Sequence, residues 1–298
     1  MEGPPILRTL WFARLVAFPI LGGLLLFVFL DAPAQYAAVN AGAFGLGLIA
    51  IHFCRLPASM RAKRALSTIL VLVLALPLVM GPQVEGIARW LTVGPIRLNT
   101  GLLVVPLLAV VAVRDYQWGW AFLVAGLVFA TMQPDAGATL ALSLALLVWA
   151  YVDWNWRALT ATALGIAATL YAFAAGALPP VRLVEGLVPM LWAELERPLQ
   201  AIGLTALLAL PLIYFLTEKR LLRQDALMLA ATYTGFLGMS FLGPYPVPLA
   251  GYGAASILGF MAAIAATPRH EKATAIELLT MANLVGREDR LLGRPPRR

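Results

Sequence analysis

The chain has 298 residues, of which 61% are hydrophobic and only 12% charged, with a mean hydropathy of +0.84. A soluble domain carries about 25% charged residues, so the composition excludes one and indicates a polytopic membrane protein. The net charge of +7 does not point to nucleic acid, because the basic residues fall between apolar runs and in the tail, as in loops beside anionic headgroups.

Ten apolar segments read as spans: residues 10–30, 34–54, 66–81, 101–113, 118–132, 137–152, 158–178, 200–217, 226–243 and 254–267. A span needs about 20 apolar residues, and the shorter segments fit as bent or broken helices. The first resembles a signal peptide but lacks a small-residue cleavage site, so it reads as a retained span. The expected fold is therefore all-α: a bundle of about ten transmembrane helices in residues 1–267, followed by a basic cytoplasmic tail, 268–298. With the N-terminus inside, the cytoplasmic segments carry seventeen Lys and Arg against four in the outer loops (Arg89, Arg97, Arg182 and Arg197). Basic residues accumulate on the cytoplasmic side, so both termini are expected there.

Taken in order, the spans carry two kinds of punctuation. Gly42, Gly45 and Gly47 with nearby alanines suggest a face for close helix packing. The outer segments collect the unusual polar residues. Residues 82–100 hold Arg89-Trp90 and Gly94-Pro95-Ile96-Arg97. Between two uncharged runs lies Gln133-Pro134-Asp135-Ala136-Gly137. Proline ends the upstream helix there, and Asp135 is either an N-cap of the next helix or a polar group facing a cavity. Residues 181–199 place Leu183, Leu187, Met190, Leu191 and Leu195 at helical spacing, the pattern of an interfacial amphipathic helix, with Glu185, Glu194 and Glu196 on its polar side. Gly243-Pro244-Tyr245-Pro246-Val247-Pro248 is too proline-rich for a helix and leads into Gly251-Tyr252-Gly253-Ala254-Ala255-Ser256. The single Cys54 excludes an internal disulfide, and His52 and His270 lack ligand spacing, so no metal or cofactor is expected.

Three outer motifs, in order and at matching topological places, resemble the SEDS family (shape, elongation, division and sporulation; the RodA/FtsW type). They are Arg89-Trp90 followed by Gly94-Pro95, Gln133-Pro134-Asp135-Ala136-Gly137, and Pro246 to Ser256 with Gly251-Tyr252-Gly253 retained. The resemblance implies ten spans in the bacterial cytoplasmic (inner) membrane. It also implies polymerisation of a lipid-linked disaccharide–peptide into glycan strands, beside a partner transpeptidase. Two departures bear on that activity. Where the family continues Gln-Pro-Ser-Glu, this chain reads Asn99-Thr100-Gly101-Leu102, and where it has an essential aspartate this chain has Pro189. Glycosyl transfer needs a base for the acceptor and a neutraliser for the leaving pyrophosphate, and proline supplies neither.

The expectation is a non-polymerising binding or scaffold subunit of cell-wall, cell-shape or cell-division machinery. Arg89, Arg97, Gln133, Asp135 and Tyr252 would frame an outer site for a polyprenyl-linked phosphate, since guanidinium groups match phosphate oxygens. Snorkelling to headgroups is the plainer reading of both arginines. One alternative is an active glycosyltransferase in which Glu185 or Glu194 replaces the lost acid. Another is a structural subunit of a larger membrane complex, attached through Trp118, Trp120, Trp149, Trp154, Trp156 and Trp192. A transporter would want ionisable residues at mid-membrane, and the spans hold almost none.

Overall fold

In hydrocarbon every backbone N–H and C=O must be satisfied within its own segment, so the apolar runs fold as helices. The computed structural model describes residues 5–176, 178–181, 183–185, 187–188 and 198–267. Pro189, Glu194, Glu196, Arg197, most of the expected interfacial helix and the tail 268–298 lie outside the described residues.

The helices are α1 (Pro5–Phe29), α2 (Ala34–Phe53), α3 (Met60–Ala75), the single turn α4 (Pro77–Met80), α5 (Thr100–Ala112), α6 (Gly119–Met132), α7 (Ala136–Asp153), α8 (Trp156–Ala175), α9 (Pro198–Thr217), α10 (Arg223–Leu242) and α11 (Ala254–Ala265). Six are long and apolar enough to cross a membrane, α3 and α4 counting as one, and α5, α6, α11 and the Thr205–Thr217 part of α9 are shorter apolar helices. The chain is a multi-pass membrane protein. Expected and observed boundaries agree within a few residues except at α1, which begins at Pro5 rather than residue 10, and at α3. That helix begins at Met60, capped by the Ser59 side chain, so Arg61, Lys63 and Arg64 lie on its first turns rather than in a loop.

Helices α5, α7 and α10 are largely buried, and α2, α3 and α8 ring them with lipid-exposed faces. Small residues set the closest crossings. A Cβ on Gly235 of α10 would meet Ala141 Cα of α7 at 2.4 Å, and one on Gly259 of α11 would meet Leu102 O of α5 at 2.2 Å. Of the glycines in α2, only Gly47 is close-packed, against Met261; a Cβ on Gly42 or Gly45 would meet nothing within 4 Å. The expected packing face there is thus a single contact. Trp149 is buried and so belongs to the core. Trp118, Trp154 and Trp156 stay exposed at one end of α6–α8, as residues of an interfacial belt do.

The two ends of the bundle differ. At one, cross-helix ion pairs gather: Arg14–Glu218 at 2.7 Å, Arg64–Asp115 at 2.6 Å, and Arg114–Asp225. Arg114 also donates to Ala266 O just past α11, and Thr9 on α1 bonds His52 at the end of α2. The start of α1 and the end of α11 therefore share this end. The other end holds a two-stranded antiparallel hairpin, β1 (Trp90–Val93) and β2 (Ile96–Asn99), with Val93 paired to Ile96. Gly94 turns it at φ +59°, the left-handed value that a glycine-first two-residue turn needs.

Candidate functional site

Three of the expected site residues, Arg89, Gln133 and Asp135, converge at the hairpin end, by way of three local devices. First, the hairpin returns the chain beside Arg89. Trp90 pairs with Asn99, and Thr100 N donates to Arg89 O at 3.1 Å. Second, Asn99 caps α5, its Oδ1 accepting from Leu102 N at 2.8 Å, while its Nδ2 donates to Asp135 Oδ2 at 3.3 Å. Third, Asp135 caps α7, with Oδ1 accepting from Ala138 N at 3.1 Å. Both carboxylate oxygens of Asp135 are thus engaged. The N-cap alternative for this residue is the one the structure adopts.

Arg89 is buried at 3% exposure, yet it does not pair with Asp135. Its Nη2 donates to the carbonyls of Pro134 and Gly176, and its guanidinium lies 5.1 Å from the Tyr245 ring centroid. Gly176 makes this possible: a Cβ there would sit 2.1 Å from both Arg89 Nη2 and Pro134 O. Gln133, also buried, donates through Nε2 to Leu74 O and so ties the end of α6 to the end of α3. Two buried polar atoms here, Arg89 Nε and Gln133 Oε1, have no hydrogen-bond partner among the described residues. A cavity of about 10 Å³ lies among Asn99, Leu102, Asp135, Phe236 and Tyr245, room for one water rather than a headgroup.

The other expected residues sit apart from this cluster. Arg97 is exposed on β2 opposite Thr92. Tyr252 stacks on Tyr36 of α2, centroids 3.8 Å apart, beside a separate apolar cluster that includes Phe27, Leu183 and Val247. Glu185 is half-buried, its Oε2 accepting from Val181 N at 3.1 Å. Burial pushes its carboxyl up, against the opposing pull of the Val181 N–H and of Arg89's charge. Tyr245 is the residue that sequence reasoning passed over. Burial pushes its phenol up too, with Arg89 opposing. The proline-rich run around it hid its role, and no sequence signal marks it. Asn99 did carry a signal, an Asn immediately before an apolar run.

No protein-family model and no curated protein sequence matches the chain. Solved structures do. Thermus thermophilus rod shape determining protein RodA superimposes with a TM-score of 0.59 at 20% identity, covering 85% of this chain and 93% of that one. An aspartate-to-alanine variant of the same RodA gives 0.59 at 19%, covering 85% and 94%. A chain of a peptidoglycan synthase complex, described as coordinating polymerization and crosslinking, gives 0.54 at 20%, covering 86% and 95%. At such identities the likeness establishes the fold: this chain has the RodA fold over most of its length.

Proposed function

We propose that the chain is a divergent SEDS-type protein of the bacterial inner membrane, working in cell-wall and cell-shape assembly as a binding or scaffold subunit rather than as a polymerase. The RodA likeness supports the setting, and the synthase-complex likeness supports a membrane partner such as a transpeptidase. One observation carries the non-polymerising part: at the end where Arg89 lies, the Asp135 carboxylate is committed to the fold and the family's glutamate position is apolar. Asp135 spends both oxygens on Ala138 N and Asn99 Nδ2, and Leu102, standing where the family has a glutamate, is buried against the small cavity. The hairpin end would face outward, in keeping with the basic-residue count, and Arg97 is an exposed cation there, among the described residues, for a lipid-linked phosphate.

The test is purified protein given labelled lipid-linked disaccharide–peptide, with native mass spectrometry of the gently solubilised protein run alongside. The expected result is no polymer and a stoichiometric protein partner. Glycan strands made by the wild type and lost in Glu185→Gln would overturn the reading. That outcome would favour the second reading, a polymerase with a relocated acid. The observation behind it is the upward-pushed carboxyl of Glu185 within Arg89's influence, since a general base for the acceptor hydroxyl works best with a pKa raised toward the operating pH.

A further inference from the structure

At the ion-pair end a cleft of about 340 Å³ opens between α1 and the turn after α9, lined by Trp11, Arg14, Tyr214, Glu218, Lys219 and Arg220. It is built around one indole. Arg14 lies over the Trp11 ring at 3.4 Å and Arg220 at 4.0 Å, while Trp11 Nε1 donates to Glu218 Oε2 at 3.1 Å. Glu218 is saturated. It also accepts from Arg14 Nη2 at 2.7 Å and, through Oε1, from Arg220 N at 2.9 Å. One carboxylate thus faces three cations, and Lys219 and Arg220 are exposed. Arg14 Nε is buried without a hydrogen-bond partner among the described residues. Among the described residues the cleft therefore has cationic charge in excess, in a space of the size that takes small ligands.

What lies next to the cleft specifies the ligand. Trp11, Arg14, Phe18 and Leu21 follow one another at three- and four-residue spacing and share a face of α1. Phe18 and Leu21 are each 48% exposed, and Phe18 meets Tyr214 of α9 at 6.1 Å between centroids. From Arg14 to Leu21 the helix rises about 10 Å, so an apolar track runs from the cations into the bilayer. A free phosphate has no use for that track, whereas a diacyl lipid does. We propose that this cleft is a specific site for an anionic phospholipid: the phosphate is held by Arg14, Lys219 and Arg220, and an acyl chain lies along Phe18 and Leu21. Anionic lipids concentrate in the cytoplasmic leaflet, the side to which the basic residues assign this end.

The experiment is native mass spectrometry of the full-length protein titrated with dioleoyl phosphatidylglycerol or dioleoyl phosphatidylcholine. The expected result is one phosphatidylglycerol retained per chain and no retained phosphatidylcholine. A basic residue near a membrane surface contributes about 1 kcal/mol toward anionic lipid, so Lys219→Gln with Arg220→Gln should weaken retention by about thirtyfold. Both residues are exposed, and the pair leaves the Arg14–Glu218 bridge intact. Arg61→Gln with Arg157→Gln removes the same charge elsewhere and should leave retention unchanged. Equal retention of both lipids, equal loss in the two double variants, or displacement of the lipid by millimolar inorganic phosphate would each overturn the proposal. The last would leave a soluble-phosphate site.

Discussion

Asn40 of α2 is fully buried and spends both ends of its amide on the loop that carries Tyr252. Its Nδ2 donates to Gly251 O at 3.0 Å, and its Oδ1 accepts from Gly253 N at 3.0 Å. Asn40→Ala strands both backbone groups. A buried group left without a partner costs about 1–3 kcal/mol, so the pair is worth roughly 2–5 kcal/mol, the upper value being cut by partial exposure of Gly253. For a chain this size 1 kcal/mol shifts Tm by about 2–4 °C, so the midpoint in detergent should fall by roughly 5–15 °C. Asn40→Asp distinguishes this account from a simple loss of packing. The carboxylate still accepts from Gly253 N but sets an oxygen against Gly251 O, and only the protonated acid donates there. Its deficit should therefore shrink as pH falls, while that of Asn40→Ala should not. A Tm change under about 2 °C in Asn40→Ala, or parallel pH profiles for the two variants, would refute the clamp.

Asp135→Ala removes the α7 cap and leaves the Asn99 amide without its acceptor, and should cost about 1–3 kcal/mol. Asp135→Asn keeps the cap but sets its NH2 against Asn99 Nδ2, so it should recover only the cap's share, about 1 kcal/mol, as read by thermal unfolding in detergent. At the opposite end, pH should act through Asp115 and Glu218. Burial pushes both carboxyls up, but the Arg64 bond with the Trp118 and Gln117 N–H groups in one case, and the Arg14 bond with the Arg220 N–H and Trp11 in the other, hold them below their ordinary 3.8 and 4.5. A depressed carboxyl contributes stability that is present above its unfolded pKa and lost as pH falls through the folded one. Unfolding midpoints should therefore be flat from pH 7 down to about 5 and drop below about 4, a drop that Asp115→Asn with Glu218→Gln should flatten.

Class and helix positions were legible because hydrocarbon forces them: an uncharged run of sufficient length has one way to satisfy its backbone. The Asp135 cap was legible too, since a proline that ends one helix beside an aspartate that can start the next is a local signal. What stayed hidden depended on partners distant in sequence. Nothing near Arg89 says that its guanidinium will reach Gly176, 87 positions away. Nothing near Asn40 announces Gly251, 211 positions away. Short β segments in an otherwise helical chain carry little periodicity, so the Trp90–Asn99 hairpin passed for a loop. The α2 glycines misled for a related reason. Small residues permit close approach, but only the packing partner decides which of them is approached, and Met261 comes to Gly47 alone.

The charges around Arg89 also bear on what that end could bind. The Arg89 guanidinium is held by carbonyl dipoles and an aromatic face rather than by a carboxylate, so its surroundings must balance its charge at a distance. Asp135 does so from beside Pro134, whose carbonyl Arg89 holds, and Tyr245 feels both charges. Glu185 adds a second acid within Arg89's influence. A lipid pyrophosphate would thus meet one cation already offset by carboxylates, with its Nη2 committed to two carbonyls. Low dielectric magnifies the mismatch as much as it would magnify a good fit. Capturing a multiply charged leaving group calls for cations held in excess, as they are around Trp11. Around Arg89 the described acids Asp135 and Glu185 leave no such excess, and a buried, water-sized space suits a joint that holds α3, α5, α6, α7 and α8 in register.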